Sequence, residues 1–85
     1  MPVGGFVINV DPDRIEESIK KLTSFRGVEI HGSDEKGNVI AVFESSNSHE
    51  MEEIVKEIMK IETVLSVGLT YFNAEDEVEG NVNQG

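Results

Sequence analysis

A chain of 85 residues holds one domain with a single small core, and the absence of cysteine removes disulfides, thiolate metal sites and cysteine nucleophiles. With 17 acidic against 7 basic side chains, the formal net charge of −10 repels nucleic-acid phosphates and anionic lipid headgroups and favours encounter with a basic ligand. No apolar run approaches the roughly 20 residues that span a bilayer, and residues 1–10 lack the basic start and cleavage region of a secretory signal, so a soluble cytoplasmic protein without membrane insertion is expected.

The first apolar run, Phe6-Val7-Ile8-Asn9-Val10, has the length and β-branched content of a strand. Asp11-Pro12 then opens a helix, with Asp11 as N-cap and Pro12 at the first helical position, where a missing N–H leaves no bond unmade. Ile15, Ile19, Leu22 and either Phe25 or Ser18 fall on one side, opposite Glu16, Glu17, Lys20 and Lys21, and Gly27 is the natural stop. A second strand is expected over residues 28–33 and a third over 38–45, joined by the turn chemistry of Asp34-Glu35-Lys36-Gly37.

Ser46-Asn47-Ser48 offers several N-caps, and Asn47 with Glu50 three residues on imitates a capping box. The helix that follows runs to about Ile61, with Met51, Ile54, Val55, Ile58 and Ile61 on its apolar face. Residues 64–72 read as the last strand, in which Leu65, Val67, Leu69 and Tyr71 alternate with Ser66, Gly68 and Thr70, so that the first set is expected to be buried. From Asn73 the chain is polar, acidic and aperiodic, which divides it into a folded domain over 1–72 and an acidic disordered tail over 73–85.

The order β-α-β-β-α-β is that of an α+β, ferredoxin-like sandwich, a four-stranded antiparallel sheet with two helices on one face. With Phe6, Ile8 and Val10 turned to the helices, the opposite face stays open and carries Val7, Asn9, Glu29, His31, Ile40, Val42, Glu44, Ser66, Gly68 and Thr70. A face that mixes carboxylates with aliphatic side chains suits a partner that is itself apolar and basic.

At this point the sequence resembles the NapD family, the small assembly chaperones of periplasmic nitrate reductase. The features that carry the likeness are Val7-Ile8 in the first strand, Pro12 at the helix start, Gly27-Val28-Glu29-Ile30-His31, Gly37 with residues 39–44, and Val64-Leu65-Ser66-Val67 followed by Leu69 and Tyr71. They extend over residues 6–77, and the chain departs from the family pattern at Thr63, where a glycine is usual, and at Phe72, where a histidine is usual.

The resemblance implies a cytoplasmic chaperone that binds the twin-arginine signal peptide of a molybdenum-containing nitrate reductase catalytic subunit before export. On that reading Val7, Ile40 and Val42 form an apolar floor, Ser66, Gly68 and Thr70 allow close approach, Glu29 or Glu44 receives an arginine, and Asn9 and His31 complete the peptide-binding face.

Other chemistries fit the residues less well. Glu29 and Glu44 resemble an acid/base pair only by type, since paired catalytic carboxylates need a cleft that separates their pKa values, and no enzyme activity or cofactor is expected. His31 with Glu29 and Glu44 makes a poor metal set without cysteine. Phe6, Phe43 and Tyr71 invite comparison with RNA-binding domains, but their phase turns them toward the helices and the charge opposes RNA. The rival reading is a regulatory module similar to ACT domains, with Gly4-Gly5 and Asp11-Pro12 contributing to a small-ligand site at a dimer interface. A homodimer formed through the open face is a third use of the same surface.

Overall fold

The computed structural model describes residues 1–73, so the expected acidic tail, apart from Asn73, lies outside the described residues. In chain order the elements are β1 (Val3–Val10), a 3-10 turn (Pro12–Arg14), α1 (Ile15–Thr23), β2 (Val28–Ser33), β3 (Asn38–Glu44), α2 (Ser48–Met59) and β4 (Val64–Asn73). The strands are ordered β2-β3-β1-β4 with antiparallel neighbours, and the helices pack on one side, which makes the fold ferredoxin-like.

Local chemistry places the boundaries. Asp11 accepts a hydrogen bond from the Asp13 backbone N–H at 2.9 Å and starts the helical segment, although its first turn is 3-10. α1 ends at Thr23, before Gly27, because the Thr23 and Ser24 hydroxyls donate to the Lys20 and Lys21 carbonyls and satisfy them locally. Asn47 caps α2 by accepting from the Glu50 N–H at 2.8 Å, and the Glu50 carboxylate reaches back to the Ser46 N–H at 2.7 Å. In the β2–β3 turn, Asp34 accepts from the backbone of Lys36 and Asn38, and Gly37 takes a φ of 94° where a Cβ would collide with the Val10 carbonyl.

The core lies between the sheet and the helices. Ile8, Val39, Ala41 and Phe43 from the two central strands meet Leu22 of α1 and Ile58 of α2, all fully buried, and the Phe6 and Phe43 rings stack with centroids 4.3 Å apart. One polar contact is enclosed with them. Ser18 Oγ lies 2.7 Å from Thr63 Oγ1 and 2.8 Å from the Arg14 carbonyl oxygen, so Thr63 ties α1 to the start of β4.

Two sequence expectations about the sheet are corrected. β1 begins at Val3 rather than Phe6, because Gly4 and Gly5 pair with both neighbouring strands. In β4 strict alternation fails. The ladder to β1 breaks its register between Gly5 and Phe6 and again between Asn9 and Val10, leaving Thr70 and Leu65 as extra residues on the β4 side.

Val64, Val67, Leu69 and Phe72 therefore oppose Val10, Ile8, Phe6 and Gly4 on the helix side. Leu65 and Leu69 are 67% and 57% exposed rather than buried, Leu69 because it lies on an edge strand that α2 covers only in part, and Tyr71 pairs with Gly5 on the open side rather than facing the helices.

Candidate functional site

The open face is built by alternation in β1 and β3, the two strands with an unbroken mutual register. Each residue of β1 on this face has a partner in β3 and another in β4, so the surface can be described row by row.

At one end, Ser66, Asn9 and Asn38 form a polar row. Ser66 Oγ donates to Asn9 Oδ1 at 2.9 Å, the Asn9 amide donates to Asn38 Oδ1, and the Asn38 amide donates to Asp34 Oδ2 at 2.8 Å. These hydrogen bonds to Asn38 hold the Asp34 carboxyl below the usual carboxylate range, first through the side-chain amide and then through the backbone N–H. The row is internally satisfied, which fixes the strand ends.

The next two rows are apolar at their centre. Gly68, Val7 and Ile40 are aligned across β4, β1 and β3, and then Tyr71, Gly5, Val42 and Glu29 are aligned across all four strands. Gly68 and Gly5 have no side chain above the sheet, so the floor dips beside Val7 and Val42. Strands about 4.8 Å apart put Tyr71 and Val42, two strands from each other, roughly 10 Å apart over Gly5. That separation matches the diameter of an α-helix with its side chains, about 10–12 Å.

The far corner is acidic. Val3 separates Glu44 from Asn73, and Glu29, Val42 and Glu44 surround a shallow depression of about 260 Å³. His31 occupies a bulge in β2, where the register slips between Ile30 and Gly32, and its Nε2 lies 3.1 Å from Glu29 Oε1. Both side chains are more than half exposed. Among the described residues no three His, Asp or Glu side chains converge as metal ligands do.

All ten residues expected on the open face from the sequence therefore lie on one surface, and Thr70 reaches it from the bulge, with its Oγ1 donating to the Gly5 carbonyl at 2.9 Å. Sequence reasoning missed Val3, Gly5 and Tyr71. The signal for Tyr71 was present, since adjacent aromatics at Tyr71 and Phe72 cannot share a side of a regular strand, and the steps from Val64 to Val67 and from Leu69 to Phe72 are three rather than two. Gly4-Gly5 and Asp11-Pro12, the candidate components of an ACT-like ligand site, lie at opposite ends of β1.

The fold and this surface define a small α+β, ferredoxin-like domain whose second sheet face, apolar in the middle and acidic at one corner, is left uncovered by the described residues. The NapD family profile, described as NapD protein, matches residues 1–76, and the chain belongs to that family. A chaperone NapD from Shigella flexneri is 30% identical over 78 residues, which cover 91% of this chain and 90% of the relative. The solution structure of the E. coli Tat proofreading chaperone NapD superposes with a TM-score of 0.78 at 29% identity, covering 88% of this chain and 80% of that one. Among the described residues no helix is long and apolar enough to cross a membrane.

Proposed function

We propose that this protein is a cytoplasmic, non-enzymatic chaperone that binds the twin-arginine signal peptide of a periplasmic nitrate reductase catalytic subunit during maturation, before export. The observation that carries this reading is the graded open face, on which Val7, Ile40 and Val42 stand beside the glycine floor of Gly5 and Gly68 and give way to Glu29 and Glu44 at one corner. It is supported by membership of the NapD family and by the likeness to a chaperone described as acting in Tat proofreading.

A signal peptide of this class presents two arginines followed by an apolar stretch. Lying as a helix across Gly5 and Gly68, the apolar stretch is flanked by Val42 and Ile40 on one side and Tyr71 on the other. Its basic end then meets Glu29 and Glu44, which accept guanidinium N–H groups in the forked geometry that carboxylates allow. Asn9, Ser66 and Thr70 bound the trough on the β1 and β4 side, and His31 stands next to Glu29.

The test is a calorimetric titration of a synthetic signal peptide against the wild-type protein and Val42→Asp, Glu29→Gln and Glu44→Gln variants. Val42→Asp is expected to weaken binding by about tenfold or more, because a carboxylate placed under the apolar stretch is desolvated without a partner. Unchanged affinity in all three variants would remove the open face as the site. Binding of a free amino acid with no response to the peptide would favour the ACT-like module instead.

A further inference from the structure

The two edges of the sheet are unlike. The β2 edge carries Glu29 and His31 and is interrupted by a bulge, and charge and bulging both discourage another strand from adding there. The β4 edge runs for 10 residues, Val64–Asn73, with no charged side chain, in a chain where 28% of residues are charged. Leu65, Leu69 and Phe72 are 67%, 57% and 42% exposed along it.

α2 covers this edge only in part. Between helix and strand is an apolar groove of about 450 Å³, formed by Phe6, Met51, Val55, Leu69 and Phe72, with Glu52 and Lys56 at its rim.

We propose that a second copy of this chain occupies the edge. β4 pairs antiparallel with β4 of the other copy across a two-fold axis, so that eight strands form one sheet and both α2 helices lie side by side over it. The segment that pairs is the regular part of β4 between its two bulges, residues 66–69. The edge strand supplies unpaired backbone groups as a template, and a two-fold axis requires the surface to complement itself.

Self-complementarity points to a second copy as the occupant. Two chains of net charge −10 repel each other over most of their surfaces, and β4 is a strip on which they meet without opposing like charges. The helix beside it is self-complementary, because Glu52 and Lys56 lie one turn apart at the rim of the groove. Antiparallel packing of two such helices sets each Glu52 beside the Lys56 of the other copy. The Lys56 side chain is 67% exposed and its ammonium pairs with Glu53 of its own helix at 3.5 Å, a surface pair that exchanges readily. The pairing uses the edge backbone of β4, and Val7, Ile40, Val42, Glu29 and Glu44 lie on the other three strands, so the dimer and the peptide site coexist.

Sedimentation of the full chain from micromolar to millimolar concentration tests the proposal. The mass is expected to rise from one chain to two. Leu69→Lys, and independently Leu65→Lys, should weaken association by about 100-fold, because each variant places two charges in the interface, while circular dichroism confirms the fold and signal-peptide titration stays as in the wild type. Glu52→Lys should weaken association about threefold and Glu52→Lys with Lys56→Glu should restore it, in line with the worth of an exposed ion pair. A monomer at every concentration would overturn the proposal and leave the edge to an extended segment of a different protein. A dimer that survives both leucine variants but dissolves with Val42→Asp would overturn it in favour of pairing through the open face.

Discussion

On the helix side of the sheet, Ile8, Val39, Ala41 and Phe43 have no exposed surface, whereas the residues that alternate with them, Val7, Ile40 and Val42, remain partly or largely in water. Both sets are aliphatic or aromatic and come from the same two strands. The difference lies in what covers them. Two helices close one side into a dense core, and nothing among the described residues closes the other. The covered side stabilises the domain, and the bare side keeps apolar surface available at a stability cost that the core must offset.

The sharpest way to break this comparison is to remove matching volume from the two sides. Phe43→Ala deletes a fully buried ring stacked on Phe6 and is expected to cost about 3–5 kcal/mol by urea denaturation, a large share of a small domain's stability. Ile40→Ala, three residues earlier in the same strand and on the opposite face, should change stability by no more than about 1 kcal/mol and should instead weaken signal-peptide binding. Equal losses of stability would mean that the open face is packed in solution.

A smaller effect is expected at the seam between helix and sheet. Thr63→Ala removes one partner of the enclosed Ser18 hydroxyl and should destabilise the fold by about 1–3 kcal/mol. Thr63→Val, which keeps the shape, reports the lost hydrogen bond without a cavity.

The smallest effect comes from pH. Glu17 is held below the usual carboxylate range by the hydrogen bond from Arg14, and Glu50 by the backbone N–H of Ser46. A lowered carboxylate pKa contributes stability that is complete above the ordinary carboxylate range and disappears as the pH falls through it toward the lowered value. Thermal midpoints should therefore decline on acidification below that range. Glu50→Gln should flatten part of the decline, since Gln still accepts from Ser46 but does not titrate. An unchanged slope in that variant would detach the cap from the pH response.

Much of this architecture can be read from residue order. The alternation Val39, Ala41, Phe43 against Ile40, Val42, Glu44 has one reading once a helix must cover one side, and Asn47 with Glu50 announces the start of α2. Those features are local, each decided by neighbours a few residues away. β4 is different. Its two extra residues are defined only against β1, more than 50 positions earlier in the chain, and the one at Thr70 puts Tyr71 on the open face although Leu69, two residues before it, is on the helix side.

The amino-acid sequence by itself determined the class and order of the main elements, the side of β1 and β3 that becomes core, the acidic field and the family. The first three follow from side-chain period, caps and charge, which act over short distances along the chain, and the family from a resemblance carried by particular residues in order. Only the tertiary structure decided the β4 register, the glycine-floored trough beside Tyr71, and the contrast between a charged edge and a bare one. Each of these depends on which strands lie next to each other, and pairing between distant segments is fixed by packing rather than by any local preference.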